Sequence, residues 1–340
     1  MSAEFAREYW SLRSPEWDGR TLTSGAWQGH VWQHDLTFNG PRSDTLILHV
    51  TGGVPNEVDE SLANQLAERS GLGVATLYGI PNQPLFDRTE DDLIAYTFDQ
   101  FLSSGDPTWP LLLPMTRAAL AAMDVLPAER FIVTGSSKRG WTTWLAGGSG
   151  DSRIVGLVPR VFDNLNLIAQ LRHQMELWGE YSPMIQPYID HNLQDRVGSP
   201  RGQELARMVD PLTYAGAITC PVYAMHGLND PYWTVDAHTL YWDQLAMPRA
   251  MFGVPNTPHN HGDSILAHPS IAAFCRLVAQ GKSLPTENPD RQEIWRATGH
   301  QNRFAESEWT LNGSTQNNVA EVTLSYFGDL ITTSAVRILG

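Results

Sequence analysis

Along most of the chain, short apolar runs alternate with stretches of helical character. The runs at residues 45–50, 73–78 and 131–135 are compact and mainly apolar, which is typical of strands buried on both faces of a parallel sheet. Further strands are predicted at residues 154–162, 220–226 and 250–254, and helices at residues 59–70, 91–102, 112–123, 235–245 and 265–279. This order predicts the α/β class, a mostly parallel sheet with helices on both faces.

Three segments depart from this alternation. Residues 1–40 mix tryptophan with polar positions and predict one or two N-terminal strands. Residues 164–215 are helical and aromatic, and we expect them to form a cap inserted over one edge of the sheet. After Pro285 the pattern predicts four short strands with turn residues between them. We therefore divide the chain into a main domain, residues 1–285, and a small antiparallel β appendage, residues 286–340, that packs on it.

Composition and charge exclude several classes of protein. With 42% hydrophobic and 18% charged residues, the chain can bury a sizeable core, which excludes wholesale disorder. The 37 acidic and 23 basic residues leave a formal charge of -14, which repels phosphate backbones, so no nucleic-acid partner is expected. The two cysteines, Cys220 and Cys275, cannot form a disulfide framework or a Cys-x-x-Cys site.

The sequence predicts no membrane span, because no apolar stretch approaches the roughly 18 residues that a transmembrane helix needs. Residues 1–10 carry charges and lack the apolar core of a signal peptide. We therefore expect either a cytoplasmic protein or a mature form whose leader has been removed. The oligomeric state stays open at this stage.

A strand that turns sharply into a helix at Gly135-Ser136-Ser137-Lys138-Arg139-Gly140 is the strongest local signal for chemistry. Such a turn lifts a serine Oγ above the sheet in the nucleophile elbow Gly-x-Ser-x-Gly. Here Arg139 takes the second glycine position and the glycine falls at 140, so an ordinary serine-rich turn is an alternative. Ser137 is the candidate nucleophile, and Ser136 is a weaker one because it occupies the variable position.

The order of acid and base along the chain favours the nucleophile interpretation. Asp230 and His259 each follow a predicted strand, in the order serine, acid, histidine that this elbow requires. Open α/β sheets build their sites beyond the carboxyl ends of strands. Asp236 is a competing acid within the predicted helix 235–245, and Asp163, with Asn164, is another alternative at the end of the fourth strand.

Proton chemistry assigns a role to each of these groups. His259 would take the proton of Ser137, and Asp230 would orient the imidazole and stabilise its charged form. The oxyanion would be held by the backbone N–H of Lys138 and by the loop at Gly53 and Val54, each donor contributing about 3 kcal/mol. The Lys138 ammonium points either at the oxyanion or at an acidic group of the substrate. The alternative is that it is solvated in the first turn of the helix.

Further side chains are candidates for contact with a substrate. Asn82 and Gln83 follow a predicted strand end and either line the pocket or cap a turn. An aromatic wall, with core packing as the alternative, is predicted from Trp141, Trp178, Tyr232 and Trp233. His261 lies near His259, but no His-Glu-x-x-His helix or cysteine pair accompanies it, so no metal site and no cofactor are expected.

Several longer runs resemble one known family. They lie at residues 81–85, 90–98, 109–115, 135–145, 162–166, 230–233 and 255–259, and the chain is identified from them as a member of the PhoPQ-activated pathogenicity-related protein family. The resemblance implies an α/β-hydrolase fold, with Ser137 as nucleophile and Asp230 and His259 beside it. It also implies that a precursor is secreted. The Ser-Lys-Arg-Gly run is similar, locally, to the elbow of glucuronoyl esterases, where the basic residue after the serine helps the oxyanion.

The leading hypothesis is a serine hydrolase that acts by acyl transfer on a small carboxylic ester. A serine peptidase or amidase of the same fold is the first alternative, and an exopeptidase would draw on cap carboxylates such as Glu176, Glu180 or Asp190 to hold a substrate ammonium. A non-catalytic secreted signalling protein that keeps the hydrolase fold is the second alternative.

Overall fold

A computed structural model describes residues 2–260, 264–301, 303–315 and 318–339 of the chain. The strands are β1 (Glu16–Trp17), β2 (Thr21–Trp27), β3 (His30–Asn39), β4 (Thr45–Val50), β5 (Gly73–Leu77), β6 (Arg130–Ser136), β7 (Ile154–Arg160), β8 (Val222–Gly227), β9 (Arg249–Val254), β10 (Arg291–Thr298), β11 (Thr310–Leu311), β12 (Val319–Phe327), β13 (Leu330–Thr333) and β14 (Arg337–Leu339). The helices are α1 (Ser2–Ser11), α2 (Glu57–Ser70), α3 (Glu90–Ser104), α4 (Leu112–Val125), α5 (Lys138–Gly148), α6 (Leu167–Trp178), α7 (Gln186–Asp190), α8 (Leu193–Arg196), α9 (Pro200–Val209) and α10 (Ala267–Ala279).

The main sheet has the strand order β1-β2-β3-β5-β4-β6-β7-β8-β9. Strands β4 to β9 pair in parallel, and β1 to β3 add an antiparallel edge beside β5. Every position of β4 and β5 is buried, as their mainly apolar runs predict. The prediction of a mostly parallel sheet is therefore confirmed, and its carboxyl ends lie along one edge.

Apolar clusters cover both faces of this sheet. One cluster joins residues of α1, α3, α4, α5 and α9 to one face, and the other joins α2, α10 and the C-terminal strands to the opposite face. Helices α6 to α9 fill the stretch between β7 and β8, where the sequence predicts a cap. No helix in the described part of the chain has both the length and the apolar character needed to cross a membrane.

Two local predictions were wrong. Helix α1 was not predicted, because the sequence analysis placed only strands in the first 40 residues. The helix predicted at residues 235–245 is replaced by two short 3-10 turns, Ala237–Leu240 and Trp242–Gln244. Tertiary contacts explain this second difference, because the Tyr241 hydroxyl donates to Asp163 at 2.7 Å and the backbone of Val336 donates to His238 at 3.2 Å.

The C-terminal strands form a separate antiparallel sheet with the order β11-β10-β12-β13, and β14 pairs with β12. It is fastened to the main sheet through β13, where the Tyr223 hydroxyl of β8 donates to the carbonyl of Ile331 and the backbone N–H of Gly253 donates to Thr333 Oγ1 at 3.1 Å. Within the described residues, its first strand begins at Arg291. The domain boundary at residue 286 stays a prediction.

Candidate active site

Ser137 lies between β6 and α5 with a φ of 57° and a ψ of -123°. Few residues other than glycine adopt a positive φ, and such strain is concentrated at functional sites. Hydrogen bonds on both sides hold the turn, since the Ser137 N–H donates to the carbonyl of Arg160 at 2.9 Å and the Trp141 N–H donates to the carbonyl of Ser137 at 2.9 Å. The backbone therefore has the sharp strand-to-helix geometry that the sequence predicts.

Glycine at 140, rather than at 139, is explained by the neighbouring strand. A Cβ on Gly140 would lie 2.5 Å from the carbonyl oxygen of Arg160 in β7, and a Cβ on Gly135 would lie 2.6 Å from the backbone of Arg139. Only glycine fits at these two positions. The side chain of Arg139 instead projects away from the strand toward Glu90, so an arginine is accommodated where the usual elbow has glycine.

The three polar groups that the sequence singles out meet at the carboxyl edge of the sheet. His259 Nε2 lies 2.8 Å from Ser137 Oγ, and His259 Nδ1 lies 2.7 Å from Asp230 Oδ2. A carboxylate only accepts hydrogen bonds, so Nδ1–H donates to Asp230 and Nε2 is free to accept from the serine hydroxyl. Asp230 also accepts from the backbone N–H of Tyr232 at 2.9 Å, which fixes the carboxylate.

Close packing of two loops brings Asp230 and His259 together. A Cβ on Gly227, the last residue of β8, would lie 2.2 Å from the carbonyl oxygen of Pro258. The Asn229 N–H donates to the carbonyl of Thr257 at 3.0 Å, just before Asp230 in one loop and just before His259 in the other. The loop after β8 and the loop after β9 are thus joined backbone to backbone.

The segment before β11 braces both loops from outside. Asn256 donates to the carbonyl of Trp309 at 2.9 Å and accepts from its N–H at 2.8 Å, while Asn229 Nδ2 donates to the carbonyl of Ser307 at 2.6 Å. Asn256 has a φ of 53°, a conformation that asparagine tolerates better than most residues. The C-terminal part of the chain therefore supports the loops that carry the acid and the base.

The ring of Tyr232 lies against the imidazole of His259, with ring centroids 4.1 Å apart and planes 29° from parallel. The Tyr232 hydroxyl donates to Asp91 at 3.3 Å. One face of the imidazole is therefore covered by an aromatic ring that is itself anchored to α3.

The two basic residues after Ser137 are both neutralised by α3. Lys138 Nζ lies 2.8 Å from Asp91 and 3.2 Å from Glu90, and the Arg139 guanidinium makes two hydrogen bonds to Glu90 at 2.7 and 2.8 Å. Burial raises the pKa of Glu90, but the hydrogen bonds and charge of Arg139, with Lys138, outweigh burial and lower it to about 2. The Lys138 ammonium is thus paired with two carboxylates and only 10% of the side chain is exposed, so it is not solvated as the alternative supposed.

Asp91 is a residue that the sequence analysis missed. It accepts from Lys138 as described, and its other carboxylate oxygen accepts from the Tyr188 hydroxyl of α7 at 3.0 Å. It therefore joins the elbow, α3 and the cap at one point. The acidic start of α3 is visible in the sequence, but nothing there indicates a partner 47 residues away.

An apolar cavity of about 130 Å³ opens beside Ser137 under the cap. Trp141, Tyr232 and Trp233 lie in its wall, as the sequence predicts, and Trp141 stacks on Phe162 with ring centroids 4.9 Å apart. The cap contributes aliphatic side chains, among them Leu167, Leu171, Ile185, Ile189, Leu193 and Leu205.

A second cavity of about 550 Å³ also borders Ser137, the residue that the two cavities share. We call it the arginine cavity, because Arg160 lines it together with His49, Gly52, Ser137 and His259. Gly52, rather than the predicted Gly53 or Val54, belongs to its wall, and the Val54 side chain is 70% exposed. The N–H of Lys138 is at the first position of α5, where backbone donors have no partner within the helix. The oxyanion roles of Lys138, Gly53 and Val54 stay predictions.

Three residues predicted to contact substrate line neither cavity. Asn82 donates to the carbonyl of Gln33 at 2.7 Å, and Gln83 donates to Glu90 at 2.6 Å, so both hold the turn before α3. The ring of Trp178 lies under the guanidinium of Arg303, 4.7 Å from its centre. Substrate contact by these three residues stays a prediction, and the hydrogen bonds of Asn82 and Gln83 agree with the turn-capping alternative.

The alternative acids lie elsewhere. Asp236 pairs with His173 at 3.0 Å. Asp163 lies beyond the end of β7, is buried beside His226 and His238, and burial raises its pKa to about 6. His226 is buried with neither ring nitrogen hydrogen-bonded to a described residue. His261 lies outside the described residues.

Comparison with known sequences gives one family and one curated relative. The sequence profile of the PhoPQ-activated pathogenicity-related protein matches residues 2–307. Autocrine proliferation repressor protein A of Dictyostelium discoideum is 35% identical over 298 residues, which cover 78% of this chain and 60% of that protein. The chain thus spans 60% of the length of the relative that it matches.

Comparison with solved structures identifies the fold. Acetyl xylan esterase 1 from Thermoanaerobacterium sp. superposes with a TM-score of 0.55 at 15% identity, covering 81% of this chain and 93% of that one. A puromycin-hydrolyzing peptidase of Mycobacterium tuberculosis superposes with a TM-score of 0.51 at 19% identity, covering 78% and 39%. At such identities the likeness establishes the α/β-hydrolase fold, which confirms the fold predicted from the sequence.

Proposed function

The chain belongs to the PhoPQ-activated pathogenicity-related protein family, and from this premise we propose that it is a serine hydrolase that cleaves carboxylic esters. The observation that carries the proposal is the pair of hydrogen bonds that the His259 ring makes, accepting from Ser137 at 2.8 Å and donating to Asp230 at 2.7 Å, beside a strained serine. This is the arrangement that activates a serine hydroxyl for acyl transfer.

In the proposed reaction, His259 Nε2 takes the proton of Ser137 as Oγ bonds to the ester carbonyl carbon. The C–O bond to the alcohol then breaks, and the alcohol leaves with the proton from His259. Water repeats the sequence on the acyl-serine and releases the acid. Asp230 keeps Nδ1 protonated, so that Nε2 is the basic nitrogen, and the N–H of Lys138 with the loop of Gly52 and Gly53 is the proposed oxyanion site.

The apolar cavity supports an ester with an apolar group on one side of the scissile bond. Its wall is aromatic and aliphatic, so an apolar acyl or alcohol group would be removed from water there. An exopeptidase would need carboxylates there for a substrate ammonium, but Glu176, Glu180 and Asp190 are exposed and line neither cavity. The carboxylate that does line it, Asp91, already accepts from Lys138.

Replacement of the nucleophile tests this proposal. We expect Ser137→Ala to lower kcat/KM for 4-nitrophenyl butyrate by about 10⁴-fold or more with an unchanged circular dichroism spectrum. Ser136→Ala is the matched control, because Ser136 makes no hydrogen bond to His259, and it should keep most of the activity. Loss of activity in Ser136→Ala together with near-normal activity in Ser137→Ala would refute the assignment.

Active-site labelling separates an enzyme from an inert hydrolase fold. A fluorophosphonate probe should label the wild-type protein at Ser137 and leave Ser137→Ala unlabelled, because only an activated hydroxyl reacts. In parallel, kcat/KM values for a panel of aryl esters and aminoacyl arylamides compare the hydrolysis of ester bonds with that of amide bonds. Labelling with turnover of arylamides alone would replace the esterase by an amidase, and an unlabelled protein with no turnover would favour a non-catalytic role.

A further inference from the structure

Arg160 is the last residue of β7 and lies directly beneath the elbow. Its carbonyl accepts from the N–H of Ser137 at 2.9 Å, and its side chain enters the arginine cavity, which Ser137 and His259 also line. Only 5% of the residue is exposed. The buried Arg160 thus lines one cavity with Ser137 and His259, and it does not line the apolar cavity.

The Arg160 guanidinium makes no ion pair with a carboxylate in the described part of the chain. Its one hydrogen bond to a side chain goes to His49 Nε2, at 3.0 Å, and its Nε has no partner. Burial lowers the pKa of His49 well below its usual value, so that imidazole is neutral and accepts the hydrogen bond. Burial also lowers the pKa of Arg160, to about 10, so the guanidinium keeps its charge at neutral pH.

The other charged groups of the described residues around the cavity make no ion pair with Arg160, although the negative charge of Asp59 acts on its guanidinium from a distance. Arg139 is paired with Glu90. Asp59 accepts from the side chains of Asn56, at 2.8 Å, and Thr51, at 3.3 Å, and Glu57 is exposed at the start of α2. Buried charges in proteins are normally paired, and an unpaired one is expensive to keep. An unpaired cation in an open cavity beside a nucleophile is typical of a site whose partner is the ligand.

We propose that the arginine cavity is an anion subsite, and that the preferred substrates are esters carrying a free carboxylate that pairs with Arg160. This inference rests on the proposed function and names its substrate class. A planar guanidinium matches a carboxylate in a two-point hydrogen-bonded pair. One cation, with Asp59 and Glu57 near it, suits a monoanionic carboxylate better than a dianionic phosphate. The carboxylate takes no part in bond making; hydrolysis consumes water and releases acid and alcohol as before.

Two matched substrate pairs place the carboxylate on either side of the scissile bond. The first pair is mono-4-nitrophenyl glutarate against 4-nitrophenyl pentanoate, and the second is 4-carboxyphenyl butyrate against 4-methylphenyl butyrate. In the wild-type protein we expect kcat/KM for the anionic member of at least one pair to exceed that of the neutral member about tenfold or more, although the protein carries a charge of -14.

Arg160→Met and Arg160→Lys then test the residue. The anionic-to-neutral ratio should fall by about 10- to 1,000-fold in Arg160→Met, because truncation of one partner of a buried charge pair carries penalties of this size, and by less in Arg160→Lys. Arg20→Met removes one positive charge from a side chain that is 80% exposed, and it should leave the ratio unchanged.

If Arg160→Met fails to fold, the anion subsite is tested by the ratio in the wild-type protein, by the ratio in Arg160→Lys, and by a protection experiment. Glutarate should then slow the labelling of Ser137 by the fluorophosphonate probe. One outcome would overturn the anion subsite and leave the hydrolase proposal intact. In that outcome the probe labels Ser137, the neutral ester is preferred in both pairs, and Arg160→Lys does not change the anionic-to-neutral ratio. Absence of both labelling and turnover would overturn the hydrolase proposal itself.

Discussion

Ser137 shows at the scale of one residue how the fold stores strain at this site. A non-glycine residue at a φ of 57° costs about 1–3 kcal/mol and persists only where its surroundings impose it. Here the hydrogen bond to β7 and the close approach of Gly140 to the same strand impose it. In return, the hydroxyl lies within hydrogen-bonding distance of His259.

Lys138 shows why the identity of a residue does not reveal its role. An ammonium next to a nucleophile is the obvious candidate for an oxyanion contact, but in the structure it is bound by Asp91 and Glu90. Only 10% of the Lys138 side chain and 16% of the Asp91 side chain are exposed. We therefore assign the pair to the positioning of the elbow against α3.

A double-mutant cycle tests this ion pair. Lys138→Met leaves the Asp91 carboxylate with its main partner removed and should lower the free energy of unfolding by about 3 kcal/mol. Asp91→Asn should also destabilise, and the double variant should lose less than the sum of the two single variants. Urea unfolding of the four proteins measures the coupling. Strictly additive losses would mean that the two side chains are not coupled as the distance of 2.8 Å indicates.

At the scale of elements, the site depends on how strand ends are connected. Strands β6, β8 and β9 deliver the serine, the acid and the histidine to one edge of the sheet, and the last two arrive on loops that touch at Gly227. Asn256 and Asn229 then tie those loops to the segment before β11. The C-terminal strands therefore contribute to the geometry of the site without lining it.

Gly227→Ala tests the contact between the loops. The added methyl would lie 2.2 Å from the carbonyl oxygen of Pro258, so the loops must separate and His259 must move relative to Asp230. We expect kcat to fall about 100-fold, since displacements of about 1 Å have effects of this size.

Gly216→Ala is the control for this variant. A Cβ at Gly216 meets no atom within 4 Å, so its kcat should match that of the wild-type protein. Equal kcat values for the two alanine variants would contradict the role given to Gly227.

At the scale of the whole molecule, stability depends on histidines that are buried in the neutral form. His34 lies where the antiparallel edge joins the parallel sheet, with Nε2 2.9 Å from Ser24 Oγ and Nδ1 3.1 Å from the carbonyl of Tyr78. Burial lowers the pKa of His34 to about 4, and it does the same for His226. Burial raises the pKa of Asp163 to about 6, so this carboxyl lowers the stability of the folded protein as the pH rises, which is opposite to the effect of the two histidines.

The sign of the pH dependence follows from these shifts. Below pH 6.5 the unfolded chain protonates His34, while the folded protein does so only near pH 4, so the stabilisation is complete above 6.5 and is lost as the pH falls toward 4. For a shift of this size the loss is about 3 kcal/mol. His34→Gln should therefore make the free energy of unfolding less dependent on pH across this window, as measured by urea unfolding at several pH values.

His30→Gln is the control for this measurement, because His30 is exposed in the same strand. A pH dependence that is equally steep in His34→Gln and in the wild-type protein would show that His34 does not contribute.

Much of the molecule could be predicted from local sequence. The buried strands follow from short apolar runs, the elbow follows from small residues at a strand end, and the order of Ser137, Asp230 and His259 follows from the strands that precede them. These features depend on a few neighbouring residues, because side-chain alternation, turn conformation and strand ends are local properties of the backbone. Their catalytic roles stay predictions.

The partners of individual side chains were decided only by the folded chain. Lys138 meets Asp91, Trp178 lies under Arg303, and the buried Arg160 makes no ion pair with any residue that the structure describes. Each of these outcomes depends on strands and helices that are far apart in sequence and adjacent in space. A side chain's partner is selected by the distance and burial that strand order and helix packing create, and no short stretch of sequence contains that information.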